Sequence, residues 1–320
     1  MSEKQTTEIN DVSPTSLKHM IGQRGVMAQV AVAIDAAFAD QKKMDHSLLV
    51  GPPGCGKSQT ARIIAAEMAA DLHEVLGQSI TCAADLNALL LSAKDKDIIH
   101  LDEAHELDRE FQTSLYMAVD QRRIILNSRS KSGPQSIPLA DFTLLLSTTD
   151  EYCLLQPLRD RMRLVLRFEF YDTDELAMLL LQRSRALGWK VHEDLLPQIG
   201  QRARGTPRLA LRLLQSCRRV CRAEGDSTIT TAHLIRACEL EGIDETGLGP
   251  TEQQYLAALA NGATRLNVVA SMLGLPARTV SQVVEPFLVR LGFVVKDDQG
   301  RRELTAKARD HLSNRGNNSA

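Results

Sequence analysis

The eight residues Gly51-Pro52-Pro53-Gly54-Cys55-Gly56-Lys57-Ser58 have the types and spacing of a loop that cradles phosphate. The glycines let successive backbone amides converge on phosphate oxygens, Lys57 adds a positive charge, and Ser58 offers a hydroxyl to a divalent cation. Such a loop works only between a strand and a helix. Both flanks are present: Ser47 to Val50 is a short apolar run, and Ala61 to Ala70 has helical composition with Ile63, Ile64 and Met68 available for a core.

Asp102-Glu103 closes a second apolar run, Ile98 to Leu101. That position sets one carboxylate beside a metal and leaves the other to polarise a water. His105 extends the string to Asp-Glu-Ala-His, shared with helicases named for it. The rest of their motif set is absent, so His105 reads as a supporting or surface residue. A third run, Thr143 to Leu146, leads into Ser147-Thr148-Thr149, whose hydroxyls stand where a γ-phosphate can be sensed; a cluster of this kind is also ordinary turn chemistry. Three short apolar runs, the first meeting Gly51 and the other two ending in polar residues, predict buried parallel strands with a site at their carboxyl ends, hence an α/β nucleotide-binding domain.

Beyond it, Asp172 and Glu175 form a capping-box pattern ahead of Leu176, Leu179 and Leu180, so a helix and a new domain are expected to start after Tyr171. Thr206-Pro207, cap then first-turn proline, starts another helix carrying Leu209, Leu213, Leu214 and Cys217. Three glycines, a proline and acids make Gly242 to Pro250 a linker. Helix Leu266 to Leu273, the break Gly274-Leu275-Pro276 and helix Ala277 to Leu291 predict a helix-turn-helix. Phe293 to Lys296 and Arg302 to Leu304 can pair as a wing. The expected divisions are a polar tail 1–16, a large domain 17–171, a helical domain 172–243, a linker 244–250, a winged-helix domain 251–313 and a tail 314–320.

The 320 residues suffice for about two or three compact units. A composition of 43% hydrophobic and 24% charged residues is that of a soluble globular chain, and 4% aromatics suits aliphatic helical cores. A net charge of -2 excludes a globally basic nucleic-acid binder, though not a local basic surface. No apolar run approaches the roughly 18 residues of a membrane helix, and Met1 to Ser16 lacks an apolar signal-peptide centre, so a cytoplasmic protein without membrane contact is expected. The six cysteines show no zinc-type grouping and read as reduced thiols.

Gly51 to Ser58, Asp102-Glu103-Ala104-His105, Phe142 to Thr149, Pro157-Leu158-Arg159-Asp160-Arg161, Glu169-Phe170-Tyr171 and Arg204-Gly205-Thr206-Pro207-Arg208 follow one another in one order. The set resembles the RuvB family of Holliday-junction branch-migration motors, over nearly the whole chain from Ile21-Gly22-Gln23 to Gly292-Phe293. The resemblance implies an AAA+ P-loop NTPase large domain, a helical lid and a C-terminal winged helix, forming a hexameric ring on duplex or four-way-junction DNA. It implies ATP and Mg2+ as cofactors, held by Gly51 to Ser58, Gln59 and Asp102, with Ile21, Gly22, Tyr171, Pro207 and Arg208 around the nucleotide. Glu103 then activates water, Thr148 is the sensor 1 hydroxyl, Arg161 the finger offered to the neighbouring subunit and Arg208 the sensor 2 arginine. The basic, small stretch Ser128 to Gly133 between Ile124 to Leu126 and Ile137 with Leu139 predicts a protruding hairpin. In the family that hairpin contacts the junction-binding RuvA protein, making Ile137 and Leu139 candidates for that contact, with ordinary packing against the domain's own core as the alternative.

Three single positions and one stretch depart from the family pattern. Cys55 replaces leucine and Ser58 threonine in the loop; Asp150 stands in place of arginine beside the sensor. In the wing, a basic Arg-Thr-Pro-Arg-Gly-Arg becomes Lys296-Asp297-Asp298-Gln299-Gly300-Arg301. Lys296, Arg301 and Arg302 remain candidates for DNA contact, opposed by two new acids. Besides a branch-migration motor, two readings stay open: an ATPase that remodels a protein partner with weakened DNA binding, and a nucleotide-dependent scaffold, against which the intact Glu103 and Arg161 argue.

Overall fold

The computed structural model of the chain describes residue 9, residues 12–126 and residues 135–318. Two compact units divide it, Met1–Gly188 with Gly205–Leu211, and Trp189–Arg204 with Arg212–Ala320.

In the first unit α1 (Arg24–Ala39) precedes β1 (Ser47–Val50), α2 (Lys57–Glu67), β2 (Leu72–Leu76), α3 (Ala83–Ser92), β3 (Ile98–Asp102) and α4 (Arg109–Gln121). A hairpin, β4 (Arg123–Leu126) and β5 (Gln135–Pro138), then leads to β6 (Thr143–Thr148), α5 (Gln156–Arg159), β7 (Leu164–Arg167) and α6 (Thr173–Ala186). Five strands form an all-parallel sheet in the order β2-β3-β6-β1-β7. Helical crossovers cover a parallel sheet on both faces, which is why β3 and β6 are apolar along their length rather than alternating. Leu48, Ile99, Leu101, Leu144 and Leu146 are buried in one core with Leu115 and Phe111 of α4. The register pairs Val50 with Thr148 and Leu101 with Leu146. Because β6 lies between β1 and β3, its carboxyl end stands between the phosphate loop and Asp102-Glu103, the position at which open α/β sheets bind ligands.

The hairpin is present, with Ile124 opposite Ile137, and its apolar residues divide between the core and the surface. Ile124 is buried, and Ile137 and Leu139 pack on the domain's own core. Ile125, on the opposite face by strand alternation, is 51% exposed. Ser128, Arg129, Ser130, Lys131, Ser132 and Gly133 lie outside the described residues. At the start of α6 the capping box forms as its residues require: Asp172 Oδ1 accepts from the Glu175 amide at 2.7 Å, and the Glu175 carboxylate accepts from the Asp172 amide.

The second unit contains the short parallel pair β8 (Lys190–Val191) and β9 (Thr228–Ile229), with α7 (Leu195–Arg202), all but the first turn of α8 (Pro207–Ala223), and α9 (Thr231–Glu241). The expected linker is a packed turn: Asp244 Oδ1 accepts from the amides of Thr246 and Leu248, and Leu248 is fully buried. There follow α10 (Pro250–Ala258), α11 (Leu266–Leu273), α12 (Ala277–Thr279) running through a π turn at Val280–Val284 into α13 (Glu285–Arg290), the antiparallel wing β10 (Val294–Lys296) and β11 (Arg302–Leu304), and α14 (Ala306–Asn318). α14 continues past Ser313, where the polar end was expected to begin. Tyr255, Leu256, Val269, Val280, Leu288, Phe293 and Leu304 form this part's core. Among the described residues no helix is long and apolar enough to cross a membrane.

Candidate ATP-hydrolysing site

The phosphate loop turns out of β1 and enters α2 at Lys57. Lys57 Nζ donates to the carbonyls of Gly51 at 2.7 Å and Pro52 at 3.0 Å. Burial pushes its pKa below the ordinary lysine value, with the Glu103 and Asp102 charges opposing the shift. Arg208, in the first turn of α8, lies against Gly54: a Cβ there would come within 3.0 Å of the Arg208 Cβ, and Gly54 also has φ +78°. Glycine at this position is therefore what lets the arginine reach the loop, at a helix N-terminus that already favours an anion.

Ser58 Oγ donates to Asp102 Oδ2 at 2.6 Å. These two adjacent oxygens would hold Mg2+ between the phosphate loop and β3. Both are hard oxygen donors, as that cation requires. Glu103, held at φ +48°, keeps its Oε2 buried without a hydrogen-bond partner among the described residues.

A cavity of about 480 Å³ gathers Ile21, Pro53, Gly54, Gly56, Lys57, Ser58, Gln59, Asp102, Glu103, Tyr171, Pro207 and Arg208. Tyr171 is buried, which raises its pKa, and its ring closes over Gly22, where a Cβ would lie 2.4 Å from it. Residues that sequence reasoning passed over also line the cavity: Pro14, inside the expected tail, whose carbonyl accepts from Gln59 Nε2 at 2.8 Å, and the cations Arg62 and Arg183. No local pattern marks these, since long-range packing alone brings them in. Cys55 is fully buried, so its thiol is not presented to solvent oxidants.

Of the expected residues, Gly22, Gly51, Pro52, Cys55, Thr148 and Arg161 are not on the cavity wall. Thr148 is fully buried at the end of β6, its hydroxyl donating to Asp150 O and accepting from Asp150 N, both at 3.0 Å. Arg161 lines a separate cavity of about 400 Å³ with Lys43, His46 and Asp120. Its ion-pair partner is Asp120 at 3.1 Å, not the adjacent Asp160, and it lies over the Tyr116 ring. In the same region burial lowers the His46 pKa to about 3, leaving a neutral imidazole.

All three wing cations are paired with acids of their own unit. Arg302 forks onto Glu285, which also pairs with Lys296 at 3.3 Å and accepts from Tyr255 Oη at 2.8 Å. Arg301 binds Asp297 at 2.7 Å. Burial alone would raise the Glu285 pKa, but the Arg302 and Tyr255 hydrogen bonds and the Lys296 charge hold it below the usual glutamate range.

Fold and site together define an AAA+ P-loop ATPase with a lid and a C-terminal winged helix. Family models for the Holliday junction DNA helicase RuvB P-loop domain, the RuvB AAA lid domain and the RuvB C-terminal winged helix domain match residues 12–168, 171–244 and 245–313. The chain is 35% identical over 318 residues to the Holliday junction branch migration complex subunit RuvB of Kosmotoga olearia, covering 98% of this chain and 92% of that protein. With the same subunit of Mycobacterium tuberculosis it shares 37% over 310 residues, 94% of this chain and 90% of the relative. The solved Thermotoga maritima RuvB Holliday junction branch migration motor superposes with a TM-score of 0.81 at 31% identity, over 94% of this chain and 97% of that one. The chain belongs to the RuvB family.

Proposed function

We propose that the chain is the ATP-hydrolysing subunit of a motor that drives branch migration of Holliday junctions in recombination and repair. The observation that carries this is the convergence of Lys57, Ser58, Asp102, Glu103 and Arg208 on one cavity in a chain of this family. Lys57 and Arg208 bind and orient the phosphates, while Ser58 and Asp102 would hold Mg2+, which when bound would supply charge neutralisation at the transferred phosphoryl group. Glu103 orients the attacking water and takes up its proton. Thr148 senses the γ-phosphate. Arg161, away from its own subunit's cavity, serves the site of a neighbour in a homo-oligomeric, hexameric ring.

On this reading residues 17–171 are the ATPase domain, 172–243 the lid and 251–313 the DNA-facing winged helix, joined by 244–250, in a cytoplasmic setting. A RuvA-type partner docks on the 124–139 hairpin, where Ile125 is the outward apolar residue. The test is ATP turnover of the purified chain with and without duplex and four-way-junction DNA. Stimulation by junction DNA is expected, and turnover indifferent to every DNA would overturn the motor assignment. A second reading, remodelling of a protein partner with weakened DNA binding, is favoured by one observation: Lys296, Arg301 and Arg302 are each paired with an acid. Indifference to DNA would select it.

A further inference from the structure

His105 joins two groups that the proposed reaction needs. Its Nδ1 lies 3.1 Å from Thr148 Oγ1 and 3.4 Å from Glu103 Oε2, and its side chain is only 19% exposed. Nε2 turns to the exposed Glu106 carboxylate at 3.4 Å. Hydrogen accounting fixes what Nδ1 does. The Thr148 hydroxyl already donates its proton to Asp150 O and accepts from Asp150 N. A hydroxyl has one proton and two lone pairs, so its third neighbour must be a donor, and Nδ1 carries a hydrogen. That hydrogen faces two acceptors. The nearer is a neutral hydroxyl; the other is a carboxylate oxygen, buried and without a hydrogen bond among the described residues, just beyond bonding distance. A charge-assisted bond is about twice as strong as a neutral one, so a displacement of a few tenths of an ångström transfers the hydrogen bond.

We propose that His105 is a positioning residue for hydrolysis: when Thr148 turns to the γ-phosphate, the Nδ1–H passes to Glu103 Oε2 and anchors the carboxylate with its other oxygen toward the attacking water. The inference rests on the roles proposed above for Thr148 and Glu103. It gives the sensor a physical link to the base, and it explains why Glu103 Oε2 makes no hydrogen bond among the described residues. A histidine that merely packed the turn after β3 would place no demand on which of its nitrogens carries hydrogen.

The test compares His105→Ala, His105→Asn, Thr148→Val and the His105→Ala/Thr148→Val double variant of the full chain, with Glu103→Gln as reference. Steady-state ATP hydrolysis, ADP affinity and melting temperature are measured for each. His105→Ala is expected to lower kcat about tenfold with ADP affinity kept within about twofold. His105→Asn, whose amide can donate from near the Nδ1 position, should retain kcat within about threefold of the parent. The double variant should be no slower than the slower single variant, because both changes break one link. An unchanged kcat in His105→Ala while Glu103→Gln is inactive would overturn the link alone. Additive losses, or equal losses in Ala and Asn variants, would also overturn it. Full turnover by Glu103→Gln would instead remove the proposed role of that carboxylate.

Discussion

The paired state of the wing makes a quantitative prediction about DNA. Affinity for duplex falls with salt in proportion to the phosphates neutralised, about 0.9 log units of affinity per contact for each log unit of salt. Arg302 is held by Glu285 beneath the wing, its side chain 11% exposed, and Arg301 is held by Asp297. Asp297 also shapes the turn, accepting from the amides of Gln299 and Arg301. A useful perturbation removes the charge and keeps that acceptor: Asp297→Asn with Asp298→Arg. It frees Arg301 and adds one cation, so two further phosphate contacts are expected. The slope of log affinity against log salt should steepen by about 1.8, and between 50 and 200 mM salt the variant should lose about twelvefold more affinity than the parent. Fluorescence anisotropy with labelled duplex, titrated with salt at saturating nucleotide analogue, reads both slopes. If the parent's slope is already as steep as the variant's, or if the correctly folded variant shows no change, the neutral-wing reasoning fails.

At the ATP site, Lys57→Ala should weaken nucleotide binding, whereas Glu103→Gln should keep it and lose roughly two orders of magnitude in turnover; parallel titration and turnover assays separate the two. Arg161→Ala chains should hydrolyse ATP poorly alone and recover activity when mixed with Lys57→Ala chains, since some interfaces then combine an intact loop with an intact finger. Absence of recovery in demonstrably mixed assemblies would refute action in trans. Glu285→Gln should lower the melting temperature by about 10 °C or more, because it leaves the buried Arg302 guanidinium without its counter-charge at a cost of about 3 kcal/mol. Since the Glu285 pKa is depressed on folding, its stabilisation is present above the ordinary glutamate range and lost as pH falls below about 4. The parent's melting temperature should therefore drop more steeply than the variant's there, and equal slopes would contradict this.

Much of the fold was legible because its signals are local. The strand ahead of Gly51, the Asp172-Glu175 box and the Gly274 break each follow from a few adjacent residues, and all appear where expected. What stayed hidden depends on distant pairing. Nothing around Arg302 announces Glu285, 17 residues earlier, or tells that Ile137 turns inward and Ile125 outward. Asp120 as the partner of Arg161 is 41 residues away, while the tempting Asp160 is adjacent. His105 was visible in the string Asp-Glu-Ala-His. Its contact with Thr148 was not, because that contact exists only once β3 and β6 pair.

The sheet register has a consequence for length variation. Val50 stands opposite Thr148 and Leu76 opposite Asp102, so β1, β2, β3 and β6 deliver their chemistry to nearly one level. Deleting one residue within Ile98–Leu101 would draw the following residues back by about 3.3 Å and exchange the faces of Asp102 and Glu103, putting the longer carboxylate at the position opposite Ser58. Amino-acid replacements at the apolar positions of these strands need only preserve bulk. Insertions and deletions there should be eliminated almost without exception among functional variants, whereas the turn from Asp297 to Gly300 can change length without disturbing any group of the ATP site.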